Sequence, residues 1–185
     1  WKQLDDDFAF VAACNTGGES IADADLERLR RIAQRTWMRT LDDRIGVSQE
    51  EFQRKARMPA STLPAAEPLL ADRPDHRIDR DEHERAAAER GVPGFRMQVP
   101  PLLYNRGELY SLSVARGTLT AEERYKINEH IVQTLIMLSE LPFPKHLRQV
   151  PEFAGGHHER MDGNGYPRGL TRDQMSPVAR MMAIA

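Results

Sequence analysis

Little in this chain can staple it, anchor it or give it a dominant charge. Cys14 is the single cysteine, so no disulfide can form within one chain. That usage fits a reducing compartment, and a lone thiol of this kind ordinarily serves as a small buried hydrophobe. No apolar run approaches the about 18–20 residues that a membrane span needs, and no secretory leader pattern opens the chain. Neither sign of charge prevails: 26 basic against 28 acidic residues leave a net charge of −2. This balance excludes a global basic field of the sort that grips nucleic acid or an anionic membrane surface. The expectation is a cytoplasmic protein with no nucleic-acid partner and no membrane contact by this segment, compatible with a membrane-anchored parent. The chain opens on Trp1 and closes on an apolar, helix-like stretch at 179–185 with no stop signal. Both ends are therefore expected to be cuts in a longer protein.

Strand-like alternation bounded by hairpin turns is also nearly absent, and there is no internal repeat. With 185 residues and 40% hydrophobic content, the chain is long enough for one cored domain and an appended segment. The periodicity reads as all-α. Leu26, Leu29, Ile32, Ala33 and Trp37 recur near helical spacing and predict a helix over 23–41. Ser48 and Glu51 form a capping-box pattern that opens a short helix to about residue 57. Prolines at 59, 64, 68, 74 and 93 then break the pattern. This connector is read as holding a helical turn at 65–71 and a second helix at 81–89, with His76 and His83 as surface histidines. A second block starts near Phe95. Thr120 and Glu123 cap a strong amphipathic helix to about residue 141, with Ile127, Ile131, Leu135 and Leu138 as its inner stripe and Val132 and Ile136 broadening it. Pro142 and Pro144 end it. Residues 145–154 predict a further helix, and Ser176-Pro177 starts a last one.

One segment carries chemistry. Gly155-Gly156 leads into His157-His158-Glu159, and Asp162 follows closely. Three glycines and Pro167 then set an irregular backbone through Gly163, Asn164, Gly165, Tyr166, Arg168 and Gly169. Imidazole is the commonest ligand for middle transition metals. Neighbouring side chains on a helix diverge by ~100°, so an adjacent pair suits two ions, or one ion and one substrate contact, better than one ion. A polar helix end followed by a turn is the alternative.

His157-His158-Glu159 with Asp162-Gly163-Asn164-Gly165-Tyr166-Pro167-Arg168-Gly169-Leu170 resembles the HHExxDGxGYPxGL signature of HD-GYP domains. The resemblance extends to Leu119-Thr120-Ala121-Glu122-Glu123 and His130, the start and metal-binding histidine of the helix before the signature. It implies a partial HD-GYP-like helical bundle at 95–185 with an extra helical insertion or connector at 1–94. It also implies His130, His157 and His158 as metal ligands, and Asp162, Gly163, Gly165, Tyr166 and Pro167 as the GYP loop, with Asp162 holding that loop or orienting a ligand. Arg160 and Arg168 are candidate phosphate contacts. The implied function is metal-dependent hydrolysis of cyclic di-GMP in bacterial signal transduction, with two or three iron or manganese ions in the intact domain.

The departures bear on this reading. No His-Asp pair exists in the chain, whereas the family takes its name from one. A later family Asp ligand is due about one residue beyond Ala185. The chain alone is thus expected to be inactive, with the bridging catalytic groups elsewhere in the parent. The alternative is a degenerate module whose GYP loop docks a partner such as a GGDEF-domain cyclase without turnover.

Overall fold

A computed structural model describes residues 1–85 and 94–184. The chain divides into two compact units, neither of them a continuous stretch: one holds residues 1–79 and 102–120, the other 80–101 and 121–185.

The first unit is built on α1 (Lys2–Thr16) and α2 (Asp23–Ala33). Asp23 and Asp25 in the first turn of α2 and Arg30 and Arg31 in its last turn complement the helix dipole. Leu29 and Ile32 on its inner face are fully or almost fully buried. The helix expected to reach residue 41 stops at Ala33. Residues Thr36–Arg39 form β1, antiparallel to β2 (Ala65–Pro68), with Trp37 opposite Glu67. The expected turn at 65–71 is therefore a strand in its first half. Cross-strand pairing overrides the helical preference of the alanines here, and it carries Arg39 onto Glu67 at 2.7 Å. A second ladder joins β3 (Arg77–Asp79) to β4 (Leu102–Asn105). Among the described residues helix is the main regular structure, and the first unit also carries two small antiparallel sheets.

Between these lies α3 (Gln49–Ala56), where Ser48 Oγ accepts the Glu51 amide at 3.3 Å as a capping serine should. Its Lys55 enters a buried ionic cluster. Lys55 Nζ stands 2.9 Å from Asp75, which Arg73 also holds at 3.0 Å, and Arg73 pairs with Asp43. A short α4 (Glu108–Leu112) completes this unit.

The second unit opens with a helical turn at 82–85. Asp81 and Glu84 cap it reciprocally, each side chain accepting the other's amide. The rest of the helix expected to residue 89 lies outside the described residues. The main element is α5 (Ala121–Glu140). Ile131 and Leu135 are its buried apolar residues, whereas Ile127 and Ile136 are largely exposed. The inner stripe is narrower than its periodicity suggests. After α5, the predicted helix at 145–154 resolves into a 3-10 turn, Lys145–Leu147, and α6 (Val150–Gly155). The last helix, α7 (Pro177–Met182), begins as read, with Ser176 Oγ accepting the Ala179 amide.

Tight packing sets the frame for the chemistry. A β-carbon on Gly156 would lie 2.8 Å from Ala179 Cβ and 3.2 Å from its Cα. The end of α6 therefore presses against α7 at backbone distance, while Gly155 does the same against the Leu135 side chain of α5. The two residues that follow Gly156 are His157 and His158.

Candidate metal centre

Three imidazoles meet where α6 ends. His130 projects from α5, and His157 and His158 stand in the turn that follows Gly155. One ligand atom from each lies within 4.8 Å of the others. His158 Nε2 is 3.1 Å from His130 Nε2, and the rings of His157 and His158 lie with centroids 4.0 Å apart at 45°. The divergence expected of neighbours on a helix is not seen, because the chain has already left the helix at Gly155 and its turn swings both rings to one side. His130 is exposed and the other two are half-buried.

Two of these rings are fixed by the backbone. His130 Nδ1 is 2.6 Å from the Ile127 carbonyl, and His157 Nδ1 is 2.6 Å from the Ala154 carbonyl. A carbonyl oxygen can only accept, so each Nδ1 must donate, and each Nε2 is left with its lone pair. This is the arrangement by which a protein prepares an imidazole to bind metal: one nitrogen committed to the backbone, the other presented. Burial first, and then the neighbouring His157 and His130, lower the His158 pKa from its ordinary value, which favours the neutral ring. A neutral ring is the ligating form. On donor chemistry and orientation the three residues fit a divalent transition metal. Among the described residues the cluster contains no carboxylate.

The loop behind the histidines is held by Glu159. Its carboxylate is buried and accepts two backbone amides, Arg168 N–H on Oε1 and Leu170 N–H on Oε2, each at 2.7 Å. From the sequence, Asp162 is the residue expected to hold this loop or to orient a ligand, and Glu159 goes without a role. The available signal was its place directly after the histidine pair, inside the signature. Asp162 is exposed. It accepts the Asn164 amide at 3.0 Å and pairs with Arg160 at 3.0 Å. The Arg160 hydrogen bond and then the Asn164 amide hold its carboxyl at about 2.

Gly165 passes so close to the preceding chain that a β-carbon would lie 2.2 Å from Arg160 N and 2.5 Å from Glu159 Cα. No side chain fits there. Gly163 makes the turn before it with φ of 79°. Pro167 is fully buried, and its carbonyl accepts the Arg96 amide at 2.7 Å. Tyr166 stacks on His158 with centroids 4.6 Å apart. Of the two candidate phosphate contacts, Arg160 is engaged with Asp162, and the Arg168 guanidinium lies 5.7 Å from the Phe95 ring centroid.

A chain whose main regular structure is helix, with a histidine triad beside a glycine-built loop, agrees with its sequence profile. The chain belongs to the HD domain family, which matches residues 64–185. Within that family it is similar to proteins of Vibrio cholerae. It is 36% identical over 70 residues to 3'3'-cGAMP-specific phosphodiesterase 3, a stretch covering 37% of this chain and 14% of that protein. It is 56% identical over 36 residues to 3'3'-cGAMP-specific phosphodiesterase 1, covering 20% of this chain and 8% of the relative. It is 56% identical over 34 residues to a probable cyclic di-GMP phosphodiesterase, covering 18% and 8% respectively. The matched stretches are thus a small part of each relative's length. No solved structure matches the chain. Among the described residues, no helix is long and apolar enough to cross a membrane.

Proposed function

We propose that this chain supplies the three-histidine side of a metal-dependent phosphodiesterase that opens a cyclic dinucleotide. The observation that carries the reading is the convergence of three imidazole ligand atoms within 4.8 Å, two of them with Nδ1 tied to backbone carbonyls. Residues 95–185 hold every candidate ligand and are proposed as the catalytic part, with 1–94 as an insertion. Cyclic di-GMP is the proposed substrate. The mixed dinucleotide 3'3'-cGAMP stands beside it, because two relatives bear that name. The relatives' names favour turnover over a docking module.

His130, His157 and His158 would hold the metal, with iron or manganese proposed because sites of imidazole completed by oxygen donors suit them. Held by these three residues, a divalent ion would supply Lewis-acid chemistry to a water and to the phosphoryl oxygens. The chain's own part is positional. The carbonyls of Ile127 and Ala154 fix two rings, and the Glu159-stapled loop forms one wall. The single cysteine fits the reducing cytoplasm proposed as the site of action.

The test uses the parent protein with manganese or ferrous iron and each dinucleotide, following the linear product by chromatography. His157→Ala and His158→Ala should each lower turnover at least about 100-fold, with the far-UV circular dichroism unchanged. A folded variant that turns over as fast as the parent removes the assignment.

A further inference from the structure

The three histidines are not held alike. His130 and His157 each have Nδ1 2.6 Å from a backbone carbonyl of their own segment. His158 has no such carbonyl: among the described residues its ring nitrogens meet only the His130 imidazole, at 3.1 Å. An imidazole with no partner on its second nitrogen is free to rotate about its side-chain bonds, and rotation would carry Nε2 out of the cluster. What faces the His158 ring is Tyr166. The two rings are nearly parallel, at 15°, with centroids 4.6 Å apart. Tyr166 also donates its backbone amide to the His158 carbonyl at 3.1 Å. Residue 166 thus grips residue 158 twice, once through the main chain and once through the ring.

We infer that Tyr166 is the positioning residue for His158, its ring replacing by stacking the carbonyl that orients the other two histidines. The inference rests on the proposed metal-binding role of the triad. The loop gives it mechanical meaning. Tyr166 can lie against His158 only because Gly165 brings the chain within van der Waals contact of the Glu159 and Arg160 backbone. On the far side, Glu159 clamps the amides of Arg168 and Leu170. The loop is pinned on both flanks of Tyr166, so the ring forms a fixed wall against which the imidazole is seated. Partners that orient a metal-ligating histidine typically govern metal affinity by about 10–100-fold.

The chain, Tyr166→Phe and Tyr166→Leu are titrated with Zn2+ against a chromophoric chelator. Histidine side-chain 1H–15N spectra are recorded on the same proteins without metal. Tyr166→Phe keeps the stack and should bind Zn2+ within about twofold of the unmodified chain. Tyr166→Leu keeps the bulk but loses the parallel face, and should bind about 10–100-fold more weakly with unchanged far-UV circular dichroism. In the metal-free spectra of Tyr166→Leu the His158 ring signals should shift and broaden, while those of His130 and His157 stay in place. Should the Leu variant lose its circular dichroism signal, Tyr166→Met takes its place with the same expected outcome. Unweakened Zn2+ binding by the Leu variant overturns the inference, and so do unmoved His158 signals. Equal weakening in Phe and Leu also overturns it, because the effect then belongs to the hydroxyl. An unmodified chain that binds no Zn2+ while His158 still responds to Tyr166→Leu overturns the metal reading and supports the positioning role.

Discussion

At the scale of single residues, the candidate site depends most on a side chain that binds nothing itself. Glu159 offers two carboxylate oxygens to two backbone amides and is buried while doing so. Gln at this position has one acceptor and one donor group. One amide of the pair would then face an N–H instead of an oxygen, inside a region that water does not reach. An unsatisfied buried donor costs about 1–3 kcal/mol. Glu159→Gln should therefore lower the thermal unfolding midpoint by that free energy, and a midpoint identical to the unmodified chain would show that the staple contributes nothing. The residue types of the site were legible in the sequence because the chemistry needs them: imidazoles for metal, and glycine at 165, where a β-carbon would lie 2.2 Å from Arg160 N. Which carboxylate holds the loop was not legible. Glu159 and Asp162 stand three residues apart, and their burial and amide partners, set by the fold, separate them.

At the scale of elements, α5 carries two kinds of apolar residue that a periodicity plot cannot tell apart. Ile131 is fully buried, whereas Ile127, one turn earlier, is 54% exposed. Ile131→Ala removes packed methyl groups and leaves a cavity, at a cost of about 2–5 kcal/mol, whereas Ile127→Ala should stay within about 0.5 kcal/mol. Urea denaturation of both variants measures the contrast, and equal costs would mean that both residues are packed to the same degree. Helix starts were legible at Ser48 and Ser176, where the serine side chain makes the cap. Helix ends set by tertiary pairing were not. Trp37 continues the helical spacing of α2, yet it lies in a strand because the partner that claims it, residues 65–68, is some thirty positions away. The same holds for the His157–His158 pair. Helical geometry implies divergence, but the helix ends at Gly155, before the pair, and the turn brings the two rings together.

At the scale of the molecule, the two compact units rest on different physics, and acid should separate them. Among the described residues, Ile131, Leu135, Met175 and Ala179 are buried apolar residues of the second unit. The first unit adds a buried ionic cluster to Leu29 and Ile32, with Asp75 at its centre. Burial alone would raise the Asp75 carboxyl above its ordinary 3.8, but hydrogen bonds and charge from Lys55 and Arg73 outweigh it and hold it at about 2. A carboxylate whose folded pKa is depressed stabilises the fold above its unfolded pKa and loses that contribution as pH falls through the folded value. The window is therefore pH 4 down to about 2, and the stability at stake is about 2 kcal/mol. Both tryptophans, Trp1 and Trp37, belong to the first unit, so tryptophan fluorescence reports on it alone. Urea midpoints followed by fluorescence should hold steady from pH 7 to 5 and drop between 4 and 2. Asp75→Asn puts a neutral amide against Lys55 and Arg73, which keep Asp43 as a partner. It should lower stability at pH 7 by about 2 kcal/mol and should make the acid dependence shallower. A fluorescence midpoint as steep in acid for the Asn variant as for the unmodified chain would place the titrating group outside the Lys55–Asp75–Arg73 cluster.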